Sequence, residues 1–270
     1  MSKLINKFKV LLVMIRPLSA FINSLVVMFA IFFIGTENDI NTTILGGMAW
    51  LFISFANEII KEYYETLKLK LNFPGNVLSK EIISPFEAMA YYTYFTLSAI
   101  LLSTFIGTFP MFLAVFVTLF NKYSSKSCRK NPYRFPFSRG IIAAIMILYS
   151  GIEAGNANSL MFPAALFCIF TYIINYLDYS RYYEKITDKD AKSFLSALIP
   201  GFLLISLYPY LQGVYKFDYL TIIMLTANLC LIFTLLKIFK GYRKSNVSAL
   251  VVTLRLNLLT IIIAVYAGLK

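Results

Sequence analysis

The sequence predicts an all-α protein that crosses a membrane several times. Of its 270 residues, 59% are apolar and 14% are charged, and the mean hydropathy is +0.72. Apolar stretches of about 20 residues, the length that spans a bilayer as a helix, recur along the chain. Lys and Arg are concentrated in alternate loops, as membrane orientation requires. We therefore expect an all-α polytopic membrane protein that forms a single domain over residues 1–270.

Nine stretches are predicted as membrane-spanning helices, numbered here as spans 1 to 9. They cover residues 17–35, 43–60, 87–106, 108–121, 140–155, 159–178, 193–212, 219–238 and 248–268. Span 4 is the shortest. Arg16 and Pro17 interrupt the apolar amino-terminal sequence, and no small-residue cleavage site follows. We therefore expect an uncleaved first helix rather than a secretory signal.

The basic residues predict how the chain lies in the membrane. All but three of the 25 Lys and Arg lie before span 1, or at the ends of spans 2, 4, 6 and 8 and in the loops that follow them. The exceptions are Lys216, Arg255 and Lys270. This pattern predicts a multi-pass cell-membrane protein with a cytoplasmic amino terminus and an external carboxyl terminus. Orientation and contact with anionic membrane lipids explain the net charge of +12, so we expect no nucleic-acid partner.

The composition excludes several kinds of chemistry. The chain contains no histidine, so a histidine-based catalytic triad, a histidine-ligated zinc site and a histidine proton shuttle are impossible within it. Its three cysteines, Cys128, Cys168 and Cys230, are far apart and form no CxxC pair. We expect them to be packing residues rather than disulfide partners or metal ligands.

The first acidic group lies at the end of span 2, in the sequence NEIIKEYYE at 57–65. Glu58, Glu62 and Glu65 follow an i, i+4, i+7 spacing that places them on one helix face, with Lys61 beside them. Carboxylates at this spacing suit Mg²⁺ that is shared with phosphate oxygens. The same spacing also suits an amphipathic helix end whose Glu and Lys side chains pair in solvent.

The second acidic group follows span 6, in the sequence NYLDYSRYYEKITDKD at 175–190. Asp178 and Glu184 are its acids nearest the membrane, and Arg181 and Lys185 lie among them. Alternating charges at a helix end are typical of a solvated face. Inside span 9, Arg255 and Asn257 are deep polar residues, and an arginine at such a position is expected to pair within the helix bundle.

The loop between spans 2 and 3 carries a resemblance to a known family. Its sequence NFPGNVLSKEIISPFEA at 72–88 follows the acidic motif directly. The residues in register are Asn72, Pro74, Leu78, Ser79, Ile83, Ser84, Pro85, Glu87 and Ala88. Arg16–Pro17 before span 1, and Tyr123–Ser124 with Arg129–Lys130 after span 4, add to it. On these residues the chain resembles a divergent member of the UbiA superfamily of intramembrane prenyltransferases.

The resemblance implies nine transmembrane helices around a central lipid-open cavity. It implies an Mg²⁺-dependent transfer of a prenyl group from a prenyl diphosphate to a hydrophobic aromatic or lipid acceptor, as in lipid or quinone biosynthesis. The implied catalytic residues are Glu58, Glu62 and Asp178. The implied metal ligands are Glu58, Glu62, Glu65, Asp178 and Glu184. The implied substrate-binding residues are Asn57, Lys61, Lys80, Arg129, Lys130, Tyr176, Tyr179 and Tyr183.

The chain also departs from the family pattern. Its first motif has Glu58, Lys61 and Glu65 where the family has aspartates, and its loop has Asn76 where the family has arginine. The aspartate positions of the second motif hold Tyr176, Tyr179 and Tyr183. Two alternatives therefore stay open: a catalytically inactive lipid-binding or assembly subunit, and a terpene cyclase that ionises the diphosphate without an acceptor. A transporter is less favoured, because span 9 alone offers deep polar residues.

Overall fold

The computed structural model describes most of the chain, and its ordered elements there are helices. The described residues are 2–34, 40–68, 78, 82–127, 131, 133–153, 157–180, 188–240 and 244–269. The chain divides into two compact units, Met1–Phe32 with Asn38–Asn131, and Phe33–Glu37 with Pro132–Lys270. The organisation as a single domain stays a prediction.

Within the described residues, unit 1 contains five α-helices. They are α1 (Ser2–Ile15), α2 (Pro17–Ile34), α3 (Ile40–Tyr63), α4 (Pro85–Ile106) and α5 (Thr108–Ser127), except that the last two residues of α2 are assigned to unit 2. A π-helical turn, Tyr64–Lys68, continues α3 at its carboxyl end. Such turns are rare, and they are frequent at functional sites.

In the part of unit 2 that the structure describes, there are six α-helices. They are α6 (Arg134–Glu153), α7 (Ala157–Ser180), α8 (Asp188–Leu211), α9 (Phe217–Ile223), α10 (Leu229–Lys240) and α11 (Lys244–Leu269). A second π-helical turn, Met224–Asn228, joins α9 to α10. The three segments form one candidate span of 24 residues.

Each predicted span falls largely within a helix, but the helices are generally longer, and α1 was not predicted. In the described part of the chain, seven helices are long and apolar enough to cross a membrane. Helices α1 and α2 together make an eighth candidate, bent by 48° between Ile15 and Pro17. Span 4, which lies in α5, is not among these candidates. The chain is thus a multi-pass membrane protein, whereas the nine crossings and the orientation of the termini stay predictions.

The start of α4 explains how the loop before it meets the core of unit 1. Ser84 caps the helix by accepting a hydrogen bond from the Glu87 amide at 3.2 Å, and the Glu87 carboxylate accepts one from the Ser84 amide at 2.8 Å. Pro85 occupies the first helical position, where its missing N–H costs nothing. Leu78 and Ile83, in the preceding loop, are buried in a core cluster with residues of α1, α3 and α4.

Helices α6 and α7 of unit 2 pack closely at Gly140. A Cβ atom built on Gly140 would lie 2.5 Å from the carbonyl oxygen of Cys168, which is a backbone atom and has little room to move. We expect Gly140→Ala to lower the free energy of unfolding by about 1–3 kcal/mol. Thermal unfolding of the purified protein in detergent measures this loss.

Gly201, inside α8, provides the matched control for Gly140. An added Cβ there meets no atom within 4 Å, and alanine favours a helix interior over glycine. Gly201→Ala should therefore leave the melting temperature unchanged or raise it. Equal stability of the two variants would contradict the close packing of α6 on α7.

Candidate functional site

The carboxylate-bearing end of α3 becomes more buried along its length. The Glu58 side chain is 22% exposed, whereas Glu62 and Glu65 are 8% and 2% exposed as residues. Glu65 lies in the π-helical turn. This end of the helix is thus not the solvated face of the alternative interpretation, because two of its three carboxylates are buried in unit 1.

Glu58 lies between two basic side chains. Its Oε2 atom is 3.3 Å from the Lys61 Nζ, which donates a hydrogen bond to it, and 3.5 Å from the Arg16 Nε. Lys61 itself is largely buried, with 13% of its side chain exposed. One carboxylate thus lies beside two cations. The position of Lys61 near the carboxylates was predicted from the sequence, whereas that of Arg16 was not.

Arg16 has an unusual backbone conformation where α1 ends and α2 begins. Its φ is +46°, a left-handed conformation that non-glycine residues seldom adopt and that costs of order 1–3 kcal/mol. Its carbonyl oxygen accepts hydrogen bonds from the amides of Ser19 and Ala20 at 3.0 and 3.3 Å. Pro17 occupies the first helical position of α2, which suits its fixed φ. The strained residue at this bend is the one whose side chain lies beside Glu58.

Glu62 binds the backbone of the following loop. Its Oε1 atom accepts a hydrogen bond from the Leu78 amide at 2.9 Å, in a buried position. A bond from an amide to a charged carboxylate is stronger than one between neutral groups. Glu62 therefore holds Leu78, 16 residues further along the chain, against α3.

The loop residues that carry the family resemblance have structural roles wherever the structure describes them. Leu78, Ile83 and Ala88 lie in the core cluster. Ser84 and Glu87 form the capping box, and Glu87 also forms an ion pair with Lys7 of α1. This part of the motif is thus explained by the fold, and a chemical role for the neighbouring carboxylates stays a prediction.

The second acidic group lies only partly within the described residues. Asp178 lies at the end of α7, where its Oδ2 atom is 3.4 Å from the Arg255 Nη2 in α11. The expectation that Arg255 pairs inside the bundle is confirmed. Arg181, Glu184 and Lys185 lie outside the described residues, as do the predicted substrate-binding residues Lys80, Arg129, Lys130 and Tyr183.

Tyr176 and Tyr179 are buried among other aromatic rings of unit 2. Tyr176 is 0% exposed, and its ring centroid lies 4.5 Å from Phe194 and 5.7 Å from Tyr133. The Tyr179 ring lies 5.6 Å from Phe135. Tyr176 thus packs against α8 and the residue before α6, and Tyr179 packs against the start of α6. Their role at the substrate stays a prediction.

Helices α3 and α5, which contact each other, bury further polar side chains near this end of unit 1. Asn57 is 7% exposed, and Asn121, Ser124 and Ser125 are each 0% exposed. Asn57 was predicted, whereas Asn121 and Ser125 were missed. The signal was their i, i+3, i+4 spacing with Ser124, which places all three on one face of α5.

The carboxylates of α3 suit a magnesium ion that is shared with the phosphates of a substrate. Within the described residues, no three Cys, Asp or Glu side chains are grouped closely enough to hold a metal ion. Mg²⁺ that is shared with phosphates needs only one or two protein carboxylates, since substrate oxygens and waters complete its octahedron. Glu58 and Glu62 have this chemistry. The metal site itself, including the roles of Glu65, Asp178 and Glu184, stays a prediction.

The fold and these buried charges define a multi-pass helical membrane protein with a carboxylate-bearing helix end. The chain is similar to a solved structure of a digeranylgeranylglyceryl phosphate synthase in membranes. The TM-score is 0.72 and the sequence identity 18%, and the match covers 99% of each chain. No model of a protein family matches this chain, and no curated protein matches it. At this identity the likeness shows the fold, whereas the central lipid-open cavity stays a prediction.

Proposed function

We propose that this chain is a divergent UbiA-type prenyltransferase that binds a prenyl diphosphate at the carboxylate-bearing end of α3. The observation that carries the proposal is the buried Glu62, which is fixed to the loop backbone beside the Arg16–Glu58–Lys61 cluster. Buried carboxylates are costly, and a binding site for a charged substrate gives a reason to keep them. The fold shared with a prenyl-lipid synthase supports the same conclusion.

The proposed reaction breaks the bond between the allylic carbon and the diphosphate oxygen. The bonding electrons leave with the diphosphate, and the allylic carbon then bonds to a nucleophilic atom of the acceptor, which loses a proton. Lys61 is well suited to offset the diphosphate charge, because its ammonium is largely withdrawn from solvent. We assign Lys80, Arg129 and Lys130 to the same task and Asn57 to hydrogen bonding with the diphosphate.

Glu58 and Glu62 are the residues that we propose to hold Mg²⁺. The ion would neutralise charge on the leaving diphosphate. Glu58 already has cations beside it, and the Leu78 amide orients Glu62. Both carboxylates are therefore held in place before substrate binds, which lowers the entropic cost of binding.

The solved relative suggests which acceptor to test first. Its product, digeranylgeranylglyceryl phosphate, is a glyceryl phosphate that carries two geranylgeranyl groups. We therefore propose a lipid acceptor with a glyceryl phosphate headgroup as the first candidate and a phenolic acceptor as the second. Both classes fit a protein whose helices lie in the bilayer.

The test is release of diphosphate by the purified protein in lipid nanodiscs. Farnesyl and geranylgeranyl diphosphate are supplied in turn with each acceptor, in Mg²⁺ and in EDTA. We expect Mg²⁺-dependent release and a product whose mass is that of the acceptor plus the prenyl group, less the proton that the acceptor loses. No release with either chain length and any acceptor would contradict the proposal. A product that contains only the prenyl carbons would indicate a terpene cyclase.

The second candidate is a non-catalytic subunit that binds prenyl lipids or a protein partner. It is favoured by one observation: the ion pair of Asp178 with Arg255, next to a second motif whose aspartate positions hold tyrosines. Such a subunit should co-purify with a prenyl lipid in EDTA. Its lipid content should be unchanged when Glu58 and Glu62 are both replaced by glutamine.

A further inference from the structure

We propose that Arg255 takes the place of a divalent metal ion at the second acidic group, so that Asp178 binds a protein cation rather than Mg²⁺. The inference rests on the proposed function, because it concerns which carboxylates would bind metal ions in that reaction. It concerns contacts within unit 2 alone. A metal requirement, if present, would then arise from the α3 carboxylates.

The geometry of the pair carries the inference. Asp178 and Arg255 approach to 3.4 Å, and their side chains are 21% and 22% exposed. Helices α7 and α11 pack against each other, and both residues lie in segments apolar enough to cross a membrane. An unpaired charge in such a segment raises the free energy of the folded protein. The pairing of Asp178 with Arg255 therefore explains why both charges are tolerated there.

The helical position of Asp178 separates it from the motif tyrosines. Residues two apart on an α-helix point about 200° apart, so Asp178 and Tyr176 face opposite sides of α7. Tyr176 and Tyr179 pack toward Tyr133, Phe135 and Phe194. Asp178 instead faces α11. It is therefore not an aspartate of the motif shifted slightly along the same face.

The arginine side chain can supply at this position the positive charge that a metal ion would otherwise supply. The guanidinium stays charged at any physiological pH, and it is more weakly hydrated than an ammonium, which suits a partly buried ion pair. Mg²⁺ gives up its waters reluctantly and demands near-octahedral oxygen ligands.

The experiment measures Mn²⁺ binding, since Mn²⁺ shares the oxygen preference of Mg²⁺ and is visible by electron paramagnetic resonance. The full-length purified protein is titrated in the presence of a geranylgeranyl thiolodiphosphate, a diphosphate analogue that resists ionisation, as wild type, as Asp178→Asn and as Glu58→Gln/Glu62→Gln. We expect Asp178→Asn to bind the same number of Mn²⁺ ions as wild type, within twofold in affinity. Loss of a bound ion, or a tenfold weaker affinity, would overturn the inference.

A double-mutant cycle tests the ion pair separately. We expect Arg255→Gln to lower the melting temperature, because it leaves the Asp178 charge without its guanidinium. Adding Asp178→Asn should recover at least half of that loss. Strictly additive losses would overturn the pairing. If Arg255→Gln is not recovered folded, Arg255→Lys replaces it and should retain most of the wild-type stability.

The two proposals fail in different ways. If the protein transfers no prenyl group, the assay of diphosphate release shows it, while the Mn²⁺ titration and the melting temperatures still report on Asp178 and Arg255. If the metal site of α3 is wrong, Glu58→Gln/Glu62→Gln binds Mn²⁺ as wild type does. The Mn²⁺ binding of Asp178→Asn is interpreted independently of prenyl transfer and of the metal site at α3.

Discussion

The Glu62→Gln variant is expected to stay folded and to lose about 100- to 1,000-fold in Mg²⁺-dependent diphosphate release. Glutamine retains a carbonyl oxygen that accepts the hydrogen bond of the Leu78 amide, but it lacks the charge that a metal ligand needs. The charge stabilisation that a metal ion supplies is worth several kcal/mol, and about 1.4 kcal/mol is a factor of ten in rate. Initial rates at saturating prenyl diphosphate measure the loss.

Glu62→Leu is the matched control for Glu62→Gln. Leucine removes the acceptor as well as the charge and leaves the buried Leu78 amide without its bond, which costs about 1–3 kcal/mol. We therefore expect Glu62→Leu to be both inactive and less stable. Wild-type activity in a folded Glu62→Gln variant would remove Glu62 from the proposed site.

The Tyr176→Ala variant is expected to lose about 3–5 kcal/mol in the free energy of unfolding. Its ring is 0% exposed and packs against those of Tyr133, Tyr172 and Phe194, and truncation of a large buried side chain leaves a cavity. Denaturant unfolding in mixed micelles measures the difference. The prediction concerns packing within unit 2 and holds whether or not the tyrosine also contacts substrate.

Two further variants serve as controls. The first removes only the hydroxyl of Tyr176, and the second removes an exposed tyrosine ring elsewhere in unit 2. Tyr176→Phe retains the ring and should retain most of the stability. Tyr208→Ala, at a tyrosine of α8 that is 55% exposed, should cost much less than Tyr176→Ala. Similar losses at both positions would mean that the aromatic cluster around Tyr176 contributes little.

The membrane helices were predictable because their signal is local. A hydropathy window detects about 20 consecutive apolar residues without knowledge of the fold. The same window misses the last turn of α3, where Glu62 and Glu65 are buried by contacts with other parts of the chain. It likewise ends span 4 early, because the buried polar residues near the end of α5 resemble a loop in composition.

Helix α1 was missed for a related reason. Its lysines were counted among the basic residues that lie before span 1, and the first membrane helix was predicted to begin only at Pro17. In the structure Met14 and Ile15 are buried in the core cluster, and Lys7 pairs with Glu87 of α4. The packing of one face of α1, rather than its average hydropathy, accounts for the helix.

The sequence pattern indicates the α3 carboxylates and Lys61 of the candidate site, but it does not indicate their partners from other segments. That these residues form a site stays a prediction. The spacing of the α3 carboxylates is a local pattern, and it identified Glu58 and Glu62. Their partners Arg16 and Leu78 come from other segments, which no spacing rule connects to α3. The pairing of Arg255 was expected, but Asp178 as its partner was not, because 77 residues separate them.

The most direct test of the account is equilibrium binding of a prenyl thiolodiphosphate, a substrate analogue that resists ionisation. The protein in nanodiscs is titrated with the geranylgeranyl analogue in Mg²⁺ and in EDTA, as wild type and as Glu58→Gln/Glu62→Gln. We expect the binding to weaken at least about tenfold, or about 1.4 kcal/mol, in EDTA and to the same extent in the double variant. Equal affinity under all four conditions would contradict a diphosphate site at the carboxylate-bearing end of α3.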